Sequence, residues 1–290
     1  VIVESWLNNR STNSTRGKLL SIYMIITFIF LGFGQFLLNL SEPIKVDLFI
    51  LVSILLSFAL LPILLTVTEA PNFTRPKRFS LKKLFIVSPL GFVGAFVIGL
   101  TNSAIFGYGA VYATVKELDI FQISLFMFII SVFGALFQWP IGFLSDRIDR
   151  RIILIGTTLI ASGLCILIVA SSYISLLLFF IIIAFYAGMS LPMYSLAVAH
   201  INDFLQSDEM VSAIAAFAIL YGLGSIFGPI FASLFMNIFG ADGFFVYLFV
   251  IHIFLGLFGL YRMSKRTKSD DLESQYVPLP RNITATGMEL

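Results

Sequence analysis

The chain has 290 residues, of which 59% are hydrophobic and only 12% charged, and its formal net charge is +2. A typical globular chain is about 45–50% apolar and about 25% charged, so these few charges cannot solvate a folded surface of this size. A soluble enzyme, a nucleic-acid binder and a disordered chain are excluded, and so is a disulfide scaffold, because Cys165 is the only cysteine.

The distribution of the charges carries the next step. Residues 152–199 form a run of 48 positions without a charge. A helix crosses a bilayer in about 20 apolar residues, so this run holds two spans and a turn. Barrel strands would alternate apolar and polar residues instead. Uncharged backbone in lipid must satisfy its own hydrogen bonds and is therefore helical. The fold class is all-α, a polytopic bundle of membrane helices.

Taken in chain order, Val1-Ile2-Val3 reads as the end of an apolar helix, followed by Trp6 at an interfacial position. These residues form no charged leader or cleavage site, so a fragment whose earlier helices are absent is expected, with a complete eight-helix protein of ragged start as the other reading. Eight spans follow, at roughly 19–40, 48–68, 84–108, 120–142, 152–170, 174–199, 210–238 and 243–261. Ser171, Ser172 and Tyr173 separate the fifth and sixth, and Gly240 to Asp242 the seventh and eighth.

Lysine and arginine orient the spans. The connections at residues 4–18, 69–83, 145–151, 200–209 and 262–290 hold 16 of the 18 basic residues, and the opposite set holds only Lys45 and Lys116. The rule that basic loops stay inside assigns the first set to the cytoplasm, with a cytoplasmic C-terminus. Asn-x-Ser/Thr triplets at Asn9, Asn13, Asn72 and Asn282 all fall on that side and are read as chance.

The loop after the fourth span reads Gly142-Phe143-Leu144-Ser145-Asp146-Arg147-Ile148-Asp149-Arg150-Arg151. Glycine permits a sharp turn, Asp146 can cap a neighbouring helix start, and the three arginine forks can pair with carboxylates in alternative arrangements. This loop resembles the G-x-L-[SA]-D-R-x-G-R-[RK] signature of the major facilitator superfamily (MFS) of transporters. Gly142, Leu144, Ser145, Asp146, Arg147, Arg150 and Arg151 match, and Asp149 stands where the family usually has glycine. The stretches Glu4–Asn8, Pro192–Ala197 with His200, Asn202 and Asp203, and Tyr276–Arg281 are similar to one bacterial branch of the superfamily.

In that family the signature recurs between helices eight and nine, with four helices before it in reach of helix five and four after it to helix twelve. The resemblance therefore implies helices five to twelve of a twelve-helix fold. Residues 1–68 would be the remainder of the N-terminal half, including the end of helix four. Residues 69–83 would be a cytoplasmic linker, 84–261 the C-terminal half and 262–290 a cytoplasmic tail. A weak internal echo agrees: at an offset of 194, Asn8 falls on Asn202 and Gly34 on Gly228, as in transporters built from parallel repeats.

The resemblance also implies a function, secondary active transport of a small solute by alternating access at the inner membrane. Its partners would be the bilayer, a substrate and a coupling ion such as the proton. No cofactor, metal or nucleic acid is implied, and the protein would be a monomer. The conformational switch would be Gly142, Asp146, Arg147, Arg150 and Arg151. Helices seven and ten would line the cavity, which makes Asn102, Tyr108, Tyr112, Tyr186, Ser190 and Tyr194 candidates, with Gln35 of helix five; helix–helix packing is the other reading of each. Gly228-Pro229 is a candidate hinge. His252 reads as a neutral, hydrogen-bonded histidine. His200, Asn202, Asp203, Asp208 and Glu209 lack metal spacing and read as a helix end and the next helix start. The spans hold no Asp or Glu at depth, and Glu4 at the edge is the coupling candidate.

Two other classes stay open: an integral-membrane enzyme, whose metal-binding carboxylates would have to come from the 202–209 region, and a non-transporting membrane sensor. A phosphate-binding loop of the ATPase type is absent.

Overall fold

A computed structural model describes residues 16–65, 80–205 and 207–265. All regular elements among them are helical. They are α1 (Arg16–Gly34), a 3-10 turn (Gln35–Asn39), α2 (Asp47–Leu65), α3 (Leu81–Val87), α4 (Pro89–Val115), α5 (Ile120–Leu136), α6 (Gln138–Ser145), α7 (Arg150–Ser172), α8 (Leu176–Ser190), α9 (Met193–Asn202), α10 (Ser207–Phe239) and α11 (Gly243–Lys265).

Six helical stretches are long and apolar enough to cross a membrane: Pro89–Val115, Ile120–Ser145, Arg150–Ser172, Leu176–Asn202, Ser212–Phe239 and Gly243–Lys265. The count of eight expected from the sequence is therefore met by six among the described residues. The two earlier ones give only the shorter apolar stretches Ile26–Asn39 and Asp47–Pro62.

The expected span at 84–108 is shifted toward the C-terminus. Pro89 cannot continue a helix from 84, because it has no N–H to donate. Ser88 leaves the helical region at φ −142° and caps α4 by accepting from the Gly91 N–H. The residues before it become the separate short helix α3, capped by Ser80, and α4 runs on to Val115. Elsewhere the caps follow local sequence. Asp119 and Gln122 form a reciprocal capping box at the start of α5.

The bundle centres on α4, which packs most closely against α10. A Cβ on Gly99 would lie 2.1 Å from Tyr221 O, and one on Gly224 would lie 2.1 Å from Phe96 O. Small residues let the two backbones touch, which drives helix association where lipid is as apolar as any side chain. Around this pair, α7 packs on α8 and α11, and α5 packs on α8. The core falls into two clusters. One, with Leu84, Leu154, Met193, Ile201 and Phe217, lies toward the Arg150 end. The other, with Tyr112, Phe126, Cys165, Phe179 and Tyr247, lies toward the opposite end. Large apolar residues such as Ile174, Leu177 and Ile238 cover the outside, as a lipid-facing surface requires.

The helix α1 meets this bundle along α5. Phe36 sits against Phe121 and Phe128, with ring centroids 5.8 and 5.2 Å apart. Asn39 Nδ2 donates to Ser124 Oγ at 2.9 Å.

Candidate functional site

The loop that matched the family signature folds into an ion-pair network at one end of the bundle. Arg150 opens α7 but is only 5% exposed. Its guanidinium reaches Asp146 Oδ1 at 3.1 Å and bonds Asp203 Oδ1, just past the end of α9. A buried charge persists only when paired, and here one arginine joins the ends of two helices. Arg151 pairs with Asp149, with Nη2 2.6 Å from Oδ2. The Arg147 guanidinium stacks 3.9 Å from the centroid of the Phe143 ring. Gly142 O accepts from the Asp146 N–H at 3.0 Å and from Ser145 Oγ at 2.8 Å, which closes the turn.

The capping acid is Asp149, not Asp146. Asp149 accepts from the Arg151 N–H and caps α7, whereas Asp146 sits at the C-terminal cap of α6 and turns to Arg150. The position where the family usually has glycine adopts φ −47°, which needs no glycine. Burial pushes the Asp149 carboxyl up, but hydrogen bonds and charge from Arg151, with His200 nearby, outweigh it and hold the group below the usual carboxylate range. His200 is buried with its ring edge-on to Phe204, centroids 5.1 Å apart. Glu209, at the start of α10, pairs with Lys83 of α3.

The candidates within the spans lie in different surroundings. Tyr112 of α4 and Tyr186 of α8 flank Phe245 of α11, with centroids 5.0 and 5.8 Å from it. Both tyrosines are buried, and the Tyr112 hydroxyl has no hydrogen-bond partner among the described residues. The same holds for both amide atoms of Asn102, which is 2% exposed. Ser190 Oγ lies 3.2 Å from His252 Nε2, and His252 Nδ1 lies 2.7 Å from Leu248 O. The carbonyl can only accept, so Nδ1 carries a proton, and in the neutral ring Nε2 then accepts from Ser190.

Tyr108 bonds Ser233 Oγ at 3.2 Å on α10. Tyr194 packs edge-on to Phe217 and Tyr221. Gln35 is half-buried and donates to Leu31 O at 3.1 Å within its own segment. Gly228 lies where a Cβ would come within 2.3 Å of Leu100 O, and α10 runs through Pro229 without ending. Glu4 lies outside the described residues.

The structure adds a pair that the sequence reading passed over. Ser195 Oγ donates to Gln138 Oε1 at 3.3 Å, between α9 and α6, with both residues buried. Gln138 is an amide in an otherwise apolar span, which was its available signal.

This is a polytopic bundle of membrane helices with a buried charge network at one end. The sequence profile described as Major Facilitator Superfamily matches residues 2–200 and also residues 91–283, and the chain belongs to that superfamily. It is similar to the uncharacterized MFS-type transporter YcaD of Escherichia fergusonii, 25% identical over 272 residues that cover 93% of this chain and 69% of that protein. YcaD of Escherichia coli O9:H4 is 26% identical over 249 residues, 85% of this chain and 64% of the relative. The chain spans about two thirds of the length of the curated relatives it matches. No solved structure matches it significantly.

Proposed function

We propose that this chain is the greater part of a secondary transporter that moves a small solute across the bacterial inner membrane by alternating access. It corresponds to helices five to twelve, with residues 1–68 from the first half, 69–83 the linker and 84–261 the second half. The observation that carries the reading is Arg150, buried and shared between Asp146 and Asp203 in a loop of the family pattern. A latch of this kind joins helix ends within the second half and holds one arrangement of them until substrate or ion binding offsets it. The basic loops and the C-terminus face the cytoplasm.

Asn102, Tyr112 and Tyr186 supply the solute contacts from this half. The unpartnered polar atoms of Asn102 and Tyr112 support the assignment, because buried donors and acceptors without partners are costly unless another species satisfies them. Glu4 remains the coupling candidate, and the protein works as a monomer.

The test is solute uptake and efflux by the full-length protein in proteoliposomes, screened against a panel of small solutes. Asp146→Asn is expected to insert normally and to transport at least about tenfold more slowly. Wild-type rates in that variant overturn the latch role. Cysteines placed near Glu42 and Asp119 are expected to react from outside, and labelling of both only from the cytoplasm overturns the topology.

A further inference from the structure

Two of the spans are interrupted near their middles, and the interruptions face each other. One span divides at Phe137 into α5 and α6, and another divides at Leu191-Pro192 into α8 and α9. The cause is proline. Pro140 has no N–H for Leu136 O, and Pro192 has none for Gly188 O. The backbone nonetheless stays right-handed helical, with φ −76° and ψ −12° at Phe137 and φ −70° and ψ −36° at Leu191. Each interruption is a kink whose angle can change by small torsional adjustments.

The two kinks are packed reciprocally. Leu191 sits against Gly134, where a Cβ would come within 2.1 Å of Leu191 Cδ1. Phe137 sits against Gly188, where a Cβ would come within 2.4 Å of Phe137 Cγ. In each span the glycine stands one turn before the kink residue, and it receives the kink residue of the other span. Neither kink can change angle without displacing a side chain seated in its partner.

The helical halves beyond the kinks are tied to each other at both ends. Near the kinks, Ser195 donates to Gln138 at 3.3 Å. At the far ends, Arg150 bonds Asp146 after α6 and Asp203 after α9.

We propose that the two kinks are one coupled hinge, about which α6 and α9 swing as a pair with Arg150 as their latch. The inference rests on the transporter reading and extends it from the loop into the spans. Breaking the latch frees a two-helix lever whose pivot is the Phe137–Gly188 and Leu191–Gly134 contacts. This is a hinge built from element-terminal residues.

Amide hydrogen exchange of the full-length protein in lipid nanodiscs, read by mass spectrometry, tests it. Asp203→Asn is expected to speed exchange about tenfold in 138–145 and 193–202 together, leaving 120–133 and 176–187 as in the wild type. Adding Pro140→Ala and Pro192→Ala restores the missing hydrogen bonds and is expected to return both segments toward the wild-type rate. A rise in only one segment, or an even rise along both whole spans, overturns the coupled hinge. Gly134→Ala gives a second reading that leaves the latch intact. It is expected to alter exchange around Leu191 as much as around Phe137, with Leu191→Ala reversing both effects. A change confined to its own span overturns the coupling. Exchange is read without transport, so a coupled response in a protein that carries no solute would overturn the transporter reading and leave the hinge standing.

Discussion

Lys116 Nζ lies 2.7 Å from Asp242 Oδ1, with the two side chains 17% and 18% exposed, and the same ammonium sits 4.3 Å from the centroid of the Tyr173 ring. Tyr173 OH bonds the other oxygen of Asp242. Three turns therefore converge on one carboxylate at the end opposite Arg150, and Gly240, at φ +69°, bends one of them into place. The pair is largely withdrawn from water, so its loss counts for more than that of a surface ion pair. Lys116→Met is expected to cost roughly 1–3 kcal/mol, seen as a lower melting temperature of the detergent-solubilised protein. Adding Asp242→Asn should recover part of that loss, and an unchanged melting temperature in the single variant would count against the clamp.

The two carboxylates on Arg150 are unequal partners. Asp203 is 16% exposed and Asp146 is 38% exposed. Removing the enclosed partner leaves a buried guanidinium short of charge, so Asp203→Ala is expected to cost roughly 3 kcal/mol. Asp146→Ala, at the wetter side, is expected to cost no more than about 1 kcal/mol. Thermal unfolding of the two variants side by side checks the order, and an equal or reversed order would refute it.

Asp149 predicts a pH dependence with a definite sign. Its carboxyl is held below its unfolded value of about 3.9. A depressed folded value contributes stability that is present above the unfolded value and lost as pH falls through the folded one. Asp149→Asn keeps a competent helix cap and removes the charge. The variant should therefore start less stable at neutral pH and lose less on acidification below about pH 4. Melting curves of both proteins across that range decide it, and parallel losses would remove Asp149 from the acid response.

Gly224 and Gly222 make an internal comparison two residues apart. A Cβ at position 224 would meet Phe96 O at 2.1 Å, whereas one at 222 meets nothing within 4 Å among the described residues. Gly224→Ala is expected to destabilise by at least about 2 kcal/mol, because the obstacle is backbone and cannot move aside. Gly222→Ala should stay within about 0.5 kcal/mol. Equal effects in the unfolding assay would argue against close approach of α4 and α10.

Much of this protein is legible in its residues. The uncharged runs give most of the spans, and the loop at Gly142–Arg151 gives the family, because both signals are local and need no packing information. Hydropathy alone sets the start of α4 too early, because it runs smoothly through Ser88-Pro89, while the helix cannot. The capping role belongs to Asp149 rather than Asp146 for a related reason. Both are acids beside a helix end, and only backbone geometry shows which one the Arg151 N–H meets.

The order of the residues alone places the chain in a bilayer, shows roughly where it crosses, and assigns its superfamily. Hydrophobic length and a contiguous motif are properties of neighbouring residues. It takes the packed bundle to show that Arg150 finds Asp203 across 53 positions, that Ser190 finds His252, and that Leu191 seats on Gly134. Those partners are set by how helices cross. In lipid, helix crossing depends on side-chain shape and a few polar contacts rather than on hydrophobicity, which is nearly uniform along these spans.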